Sequence, residues 1–73
     1  MDRIDEMRAF ANVAELRSFV AAARRLGRSA AAITRAVASL EDRLGTRLFT
    51  RTTRAVVLTE SGRRHLEQAR IVL

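Results

Sequence analysis

The sequence predicts a mainly α domain of the winged helix-turn-helix class, and three observations carry that prediction. Apolar residues recur at three- and four-residue steps in four separate segments, the spacing of helices that each bury one face. The second and third segments each open on Ser and close on Gly, the usual signals for the start and stop of a helix. Two short runs rich in β-branched and apolar residues then precede the last segment and read as a hairpin. The predicted order is three helices, a β-hairpin wing and a C-terminal linker helix.

The first helix runs from Asp2 to about Glu15, with Ile4, Met7, Phe10, Ala11 and Ala14 on its inward face. Asp5 and Glu6 near its start suit the helix dipole. Ser18 caps a short Ala-rich second helix with Phe19, Ala22, Ala23 and Leu26 inward, and Gly27 ends it. After Arg28, Ser29 caps a third helix reaching about Leu44, where Gly45 stops it. Its inward stripe is Ile33, Val37, Leu40 and Leu44, flanked by Ala36. The opposite face shows Ala30, Ala31, Thr34, Arg35 and Ala38. The hairpin pairs Arg47–Arg51 with Ala55–Thr59 through Thr52, Thr53 and Arg54, although no Gly marks the turn. Thr59 caps the last helix, in which Gly62, Leu66, Ala69 and Leu73 form one stripe. That stripe can face its own domain or a partner helix, and the apolar, uncapped end Ile71-Val72-Leu73 favours a partner for its distal part. The same bare end suggests a piece of a longer protein.

Charge narrows the function. The net charge of +6 is carried entirely by Arg, with no Lys among the 14 basic residues. Residues 1–23 sum to −1, residues 24–54 to +6 with eight Arg against two acids, and residues 55–73 to +1. Genome composition is a sufficient reason for the absence of Lys, but it does not place the charge. A basic block on a small domain fits nucleic acid or an anionic membrane surface.

Other functions find little support. Without Cys there are no disulfides or thiolate metal sites, which suits a reducing cytoplasm. No apolar run nears the roughly 20 residues that span a bilayer, and the N-terminus does not read as a signal peptide. His65, the only histidine, lacks companions for a metal and reads as a surface residue. Ser18, Ser29 and Ser61 have no base or oxyanion apparatus, and Glu41 and Asp42 are neighbours that do not face each other on a helix. Phe10, Phe19 and Phe49 read as core, whereas single-strand binding calls for exposed aromatics. The expectation is a cytoplasmic protein with no enzymatic activity, cofactor or metal.

The third helix has what a major-groove helix needs. Small residues on its exposed face permit close approach to base edges, Ala methyls can meet thymine methyls, and Arg35 can reach guanine or a phosphate. Helix propensity alone is the competing explanation for the Ala-rich face. The wing adds Arg47, Arg51 and Arg54, of which Arg51 and Arg54 read as phosphate anchors before base readers. Arg24 and Arg25 read first as solvating the second helix.

Together these residues resemble the LysR-type transcriptional regulators over essentially all 73 positions. The resemblance is carried by Phe10-Ala11-Asn12-Val13-Ala14-Glu15, by Ser18-Phe19 with Ala22-Ala23 and Leu26, and by Ser29 with Ala32-Ile33-Thr34-Arg35. It continues through Leu40-Glu41, Leu44-Gly45, Arg47-Leu48-Phe49 with Arg51, and Leu58-Thr59-Glu60 with Gly62. It implies a sequence-specific binder of double-stranded DNA that regulates transcription at promoters. The third helix (about 29–44) would enter the major groove, and the wing (about 47–58) would lie on the backbone or in the minor groove. It further implies a winged helix-turn-helix over 1–58, a linker and dimerisation helix beginning at 59–73, and an effector domain beyond this chain. A homodimer or tetramer through the C-terminal helix follows, with a small-molecule effector bound only by that further domain, and no membrane partner. The candidate DNA-binding residues are Ser29, Ala30, Ala31, Thr34, Arg35 and Ala38, with Arg51 and Arg54 from the wing.

The chain departs from the family's commonest pattern at five positions. Ala30 and Ala31 stand where Gln and Pro are usual, Ala36 where Gln is, Arg17 where Gly is, and Arg28 where an apolar residue is. Without that Gln, base reading leans on Thr34, Arg35, methyl contacts and DNA shape. Two alternatives remain: a non-specific architectural DNA binder on the same fold, and a winged helix used as a protein-interaction module.

Overall fold

The computed structural model describes residues 2–51 and 56–73, with the side chain of Arg51 left out. Its elements follow the order α1 (Arg3–Leu16), α2 (Phe19–Leu26), α3 (Ala30–Leu44), β1 (Phe49–Arg51), β2 (Val56–Leu58) and α4 (Glu60–Val72). The expected winged helix-turn-helix is the observed fold.

Each helix begins on a side chain that takes an otherwise unsatisfied backbone N–H. Asp2 accepts from Asp5 N at 2.8 Å, Ser18 from Ala21 N at 3.0 Å, Ser29 from Ala32 N at 3.1 Å and Thr59 from Gly62 N at 3.0 Å. The ends of α2 and α3 share one solution. Gly27 and Gly45 adopt left-handed backbone, with φ of 66° and 68°. The next residue's N–H then reaches back into the helix, Arg28 to Ala23 O at 2.9 Å and Thr46 to Glu41 O at 3.2 Å. That pattern satisfies carbonyls that a helix end leaves open. α1 ends differently. Arg17 takes the same left-handed conformation at φ 54° and donates its N–H to Val13 O at 2.7 Å. For a residue with a Cβ this costs roughly 1–2 kcal/mol.

α1 lies at the centre, against α2, α3 and α4. Its buried face is Glu6, Ala9, Phe10 and Val13. Met7, Ala11 and Ala14 are half-buried, but Ile4 is 40% exposed, contrary to the expected stripe. Ile4 stands in the first turn, at the edge of the three-sided packing that closes around Phe10. Leu44 corrects the stripe of α3 in the same way. It is the last residue of its helix and is 41% exposed, whereas Ile33, Ala36, Val37, Leu40 and Glu41 are buried.

The wing is an antiparallel pair with register Phe49↔Leu58, Thr50↔Val57 and Arg51↔Val56. Both strands are shorter than the expected runs because their outer ends are put to other use. Leu48 O accepts Thr59 N at 3.0 Å, and Arg47 O accepts the Thr59 hydroxyl at 2.6 Å. Thr59 therefore clamps the wing's base while capping α4. The turn residues Thr52, Thr53 and Arg54 lie outside the described residues.

α4 returns across α1, with Gly62 and Ala69 buried and Leu66 packed against the core. Most of its stripe thus faces its own domain. The distal residues Ile71, Val72 and Leu73 are 85%, 58% and 49% exposed. His65 shares the inward face, its ring centroid 5.6 Å from that of Phe10, rather than standing on the surface as expected. Its Nε2 is buried and has no hydrogen-bond partner among the described residues. The helical steps 62, 65, 66 and 69 place it there.

Gly62 is required by close approach, since a Cβ there would collide with the Leu48 carbonyl oxygen. That oxygen is held by Thr59 N and cannot move aside cheaply. Gly62→Ala should therefore destabilise the domain by about 1–3 kcal/mol, although helix propensity alone would favour Ala by about 1 kcal/mol. Urea unfolding of the two chains reads the sign directly.

Candidate nucleic-acid interface

The helix-turn-helix is formed by α2, the Gly27–Ser29 turn and α3. Because α3 buries Ile33, Ala36, Val37 and Leu40, helical geometry turns residues 30, 31, 34, 35 and 38 the other way. Ser29, Ala30, Ala31, Thr34 and Arg35 are all exposed, and Ala38 is half-buried at the margin of that face. These six candidate residues therefore share one surface. Arg51 ends β1, and its side chain, like all of Arg54, lies outside the described residues.

Two details bear on what this face can do. The Thr34 hydroxyl donates to Ala30 O at 3.0 Å, so its proton is committed to the helix and its oxygen remains an acceptor. Arg35 is exposed and forms no ion pair with any described residue. Its five donors are available to a partner.

The Arg block is partly neutralised from within. Arg25 pairs with Glu15 at 2.8 Å and also donates to Asn12 Oδ1 at 3.2 Å. Arg28 lies 3.9 Å from Asp5, and Arg43 lies 2.6 Å from Glu6. All three acids stand on α1, whose negative charge is thereby spent on the flanks of the helix-turn-helix. Arg24, Arg35 and Arg47 are exposed and form no ion pair among the described residues. Arg25 is accordingly committed within the domain, while Arg24 retains its charge for solvent or a partner.

Sequence reading missed two residues that set the geometry of this surface. Glu41 is 6% exposed, and its carboxylate accepts Leu48 N at 2.8 Å and Phe49 N at 3.4 Å. It thus joins the end of α3 to the start of the wing. Glu6 is 2% exposed; it accepts the Ser39 hydroxyl at 2.6 Å and meets Arg43, linking α1 to α3. From the sequence, Glu6 reads only as suiting the helix dipole, and Glu41 only as a neighbour of Asp42 and part of the Leu40-Glu41 motif. One signal was present: positions 37, 40, 41 and 44 share a helical stripe, which puts an acid among apolar residues.

Small residues and an Arg without an acid partner among the described residues, on the second helix of a helix-turn-helix that leads into a two-stranded wing, are the features of a DNA-binding domain of the winged-helix class. A family model described as bacterial regulatory helix-turn-helix protein, lysR family, matches residues 4–63. The chain belongs to that family, whose members regulate transcription.

It is 44% identical over 73 residues to the HTH-type transcriptional activator AaeR of Escherichia coli K12, covering 100% of this chain and 24% of that protein. It is 51% identical over 61 residues to the HTH-type transcriptional regulator PgrR of the same organism, covering 84% and 20%. Among solved structures it is similar to the DNA-binding domain of CbnR in complex with DNA, at TM-score 0.93 and 38% identity, covering 97% of this chain and 82% of that one. The DNA-binding domain of BenM with catB site 1 DNA superposes at TM-score 0.92 with 30% identity, covering 97% and 79%. The chain spans about a quarter of the length of the curated relatives it matches over its whole length.

Glu41→Ala would leave two wing N–H groups without this acceptor and should cost about 1–3 kcal/mol. Asp42→Ala, on the exposed side of the same helix turn, should stay within about 0.5 kcal/mol of the parent. Paired denaturation curves make the comparison.

Proposed function

We propose that this chain is the duplex-reading part of a transcription regulator, binding promoter DNA in a sequence-dependent way. The observation that carries the reading is the exposed face of α3, where Ala30, Ala31 and Thr34 surround an Arg35 that has no acid partner among the described residues. α3 enters the major groove with its N-terminal turns foremost. Ser29, Ala30, Ala31, Thr34, Arg35 and Ala38 form the contact face. Arg51 and Arg54 hold the backbone or minor groove from the wing. Arg24 and Arg47 add sequence-independent attraction. With no Gln on this face, Arg35 and the methyl groups carry direct reading, and DNA shape contributes the remainder.

Residues 1–58 make up the reading head, and 59–73 begin a linker helix. The exposed Ile71, Val72 and Leu73 give that helix an apolar end for a second copy, so the regulator works as a homodimer or a tetramer. Since the curated relatives are about four times as long, a further domain would bind a small-molecule effector. The protein acts in the cytoplasm and is not an enzyme. Among the described residues no helix is long and apolar enough to cross a membrane, and no group of three potential metal ligands occurs.

Selection from random duplex DNA at near-physiological salt tests the reading. The expected result is an enriched motif, with affinity falling steeply as salt rises because phosphate contacts release counterions. An inverted repeat with half-sites about one helical turn apart would mark the dimer. Retention without a motif would leave an architectural binder, and no retention would point to a protein-interaction module. Arg35→Ala should weaken binding to the selected motif by about 1–3 kcal/mol and relax its sequence, whereas Arg24→Ala and Arg47→Ala should weaken all duplexes alike.

A further inference from the structure

Arg17 is the only non-glycine residue with positive φ among those described, at 54°. The two helices of the helix-turn-helix, α2 and α3, close with glycine in the same conformation, at Gly27 and Gly45. Glycine would therefore serve at position 17 without strain. The Arg17 side chain gives the domain nothing visible in return. It is exposed, and it makes no hydrogen bond or ion pair with any described residue. A strained backbone position that holds a long cation unused by the fold points to a use outside the fold.

Its position indicates that use. Arg17 immediately precedes Ser18, the cap of α2, and stands on the rim of an open cleft of about 480 Å³ between the end of α1 and the wing. Phe49, Val57 and Leu58 of the wing line the cleft, Arg63 stands on its α4 side, and no acidic side chain among the described residues lines it. Arg63 is engaged with Glu60. Among the described residues, Arg17 is thus the uncommitted cation where the corner of the helix-turn-helix meets the wing.

We propose that Arg17 is a phosphate-binding residue, which grips the sugar–phosphate backbone of duplex DNA where it passes from the helix-turn-helix to the wing. The inference rests on the DNA-binding reading above and extends the footprint beyond α3 and the wing tip. A guanidinium fork matches two phosphate oxygens, and a contact of this kind fixes register without reading sequence.

Three chains test it: the parent, Arg17→Gly and Arg17→Lys. Arg17→Gly relieves the left-handed strain, so its Tm should rise by about 4–8 °C, the shift for a modest gain in a domain of this size. Its duplex affinity should nonetheless fall about threefold to tenfold, equally on selected and scrambled sequences, as for one lost charged contact. The slope of log K against log salt should become shallower by about one per chain. Arg17→Lys keeps both strain and charge, and should keep the parent's Tm and salt slope.

A more stable Arg17→Gly with unchanged affinity and slope would overturn the proposal. So would a loss confined to the selected sequence, which would make Arg17 a base reader. Saturation of the Arg17 side chain by inorganic phosphate below millimolar concentration, followed by NMR at constant ionic strength, would also overturn it by indicating a free-anion site. If the parent itself retained no duplex, the DNA reading would fall and take this inference with it. If the parent binds and the variants do not differ, only the role of Arg17 falls.

Discussion

The domain depends on a chain of ring contacts that runs through its middle. Phe19 meets Phe49 at 6.0 Å between centroids, Phe49 meets Phe10 at 5.4 Å, and Phe10 meets His65 at 5.6 Å. The interplanar angles of 68°, 51° and 55° are the tilted and edge-on arrangements that aromatic quadrupoles favour. Each ring comes from a different element, so the chain joins α2 to β1, β1 to α1 and α1 to α4. A sheet of two three-residue strands is marginal alone; seating Phe49 between Phe10 and Phe19 makes the wing part of the helical core. The placement of the wing relative to α3 thus follows from core packing.

Two buried carboxylates refine what the rings establish. Glu41 takes N–H groups at the strand's entry, where Leu48 and Phe49 are both buried in succession and the chain turns from helix to strand. Glu6 takes the Ser39 hydroxyl and the Arg43 guanidinium from α3. A buried acid is costly unless it is bonded, so each site holds its elements at one spacing. α3 and the wing are accordingly tied to one another through Glu41 and to a common scaffold through Phe10 and Glu6. A protein that must match a groove and a flanking backbone at once needs such fixed spacing.

What could be read from the sequence was local. Ser18, Ser29, Thr59, Gly27 and Gly45 act on residues within one helical turn, and all five mark helix boundaries as expected. The exposed face at 30, 31, 34, 35 and 38 follows from helical periodicity once the inward stripe is known. What escaped depends on partners distant in the chain. The Ser39–Glu6 bond joins residues 33 positions apart, and nothing at either position announces the other. The exposure of Ile4 and Leu44 reflects where neighbouring elements stop, which periodicity within one helix does not contain. His65 differs for another reason: a single histidine reads as a ligand or a surface residue, whereas its ring packs against Phe10 at the edge of the core.

The same distinction applies to charge. The positive excess lies in residues 24–54, but a surface field depends on which charges remain uncompensated. α1 places Asp5, Glu6 and Glu15 against Arg28, Arg43 and Arg25, removing positive charge from the flanks while leaving Arg35 without an ion pair among the described residues. The two more exposed pairs, Arg25–Glu15 and Arg28–Asp5, add little stability. The other consequence of the pairing is that Arg24, Arg35 and Arg47 are left as the cations of this block without an acid partner among the described residues. Arg17 belongs to the same economy. A left-handed turn is where an L-residue is least expected, and Arg17 is held in it by its N–H bond to Val13 O. Its guanidinium is displayed from a backbone already fixed by α1 and α2, which limits the conformational entropy lost when it meets a phosphate.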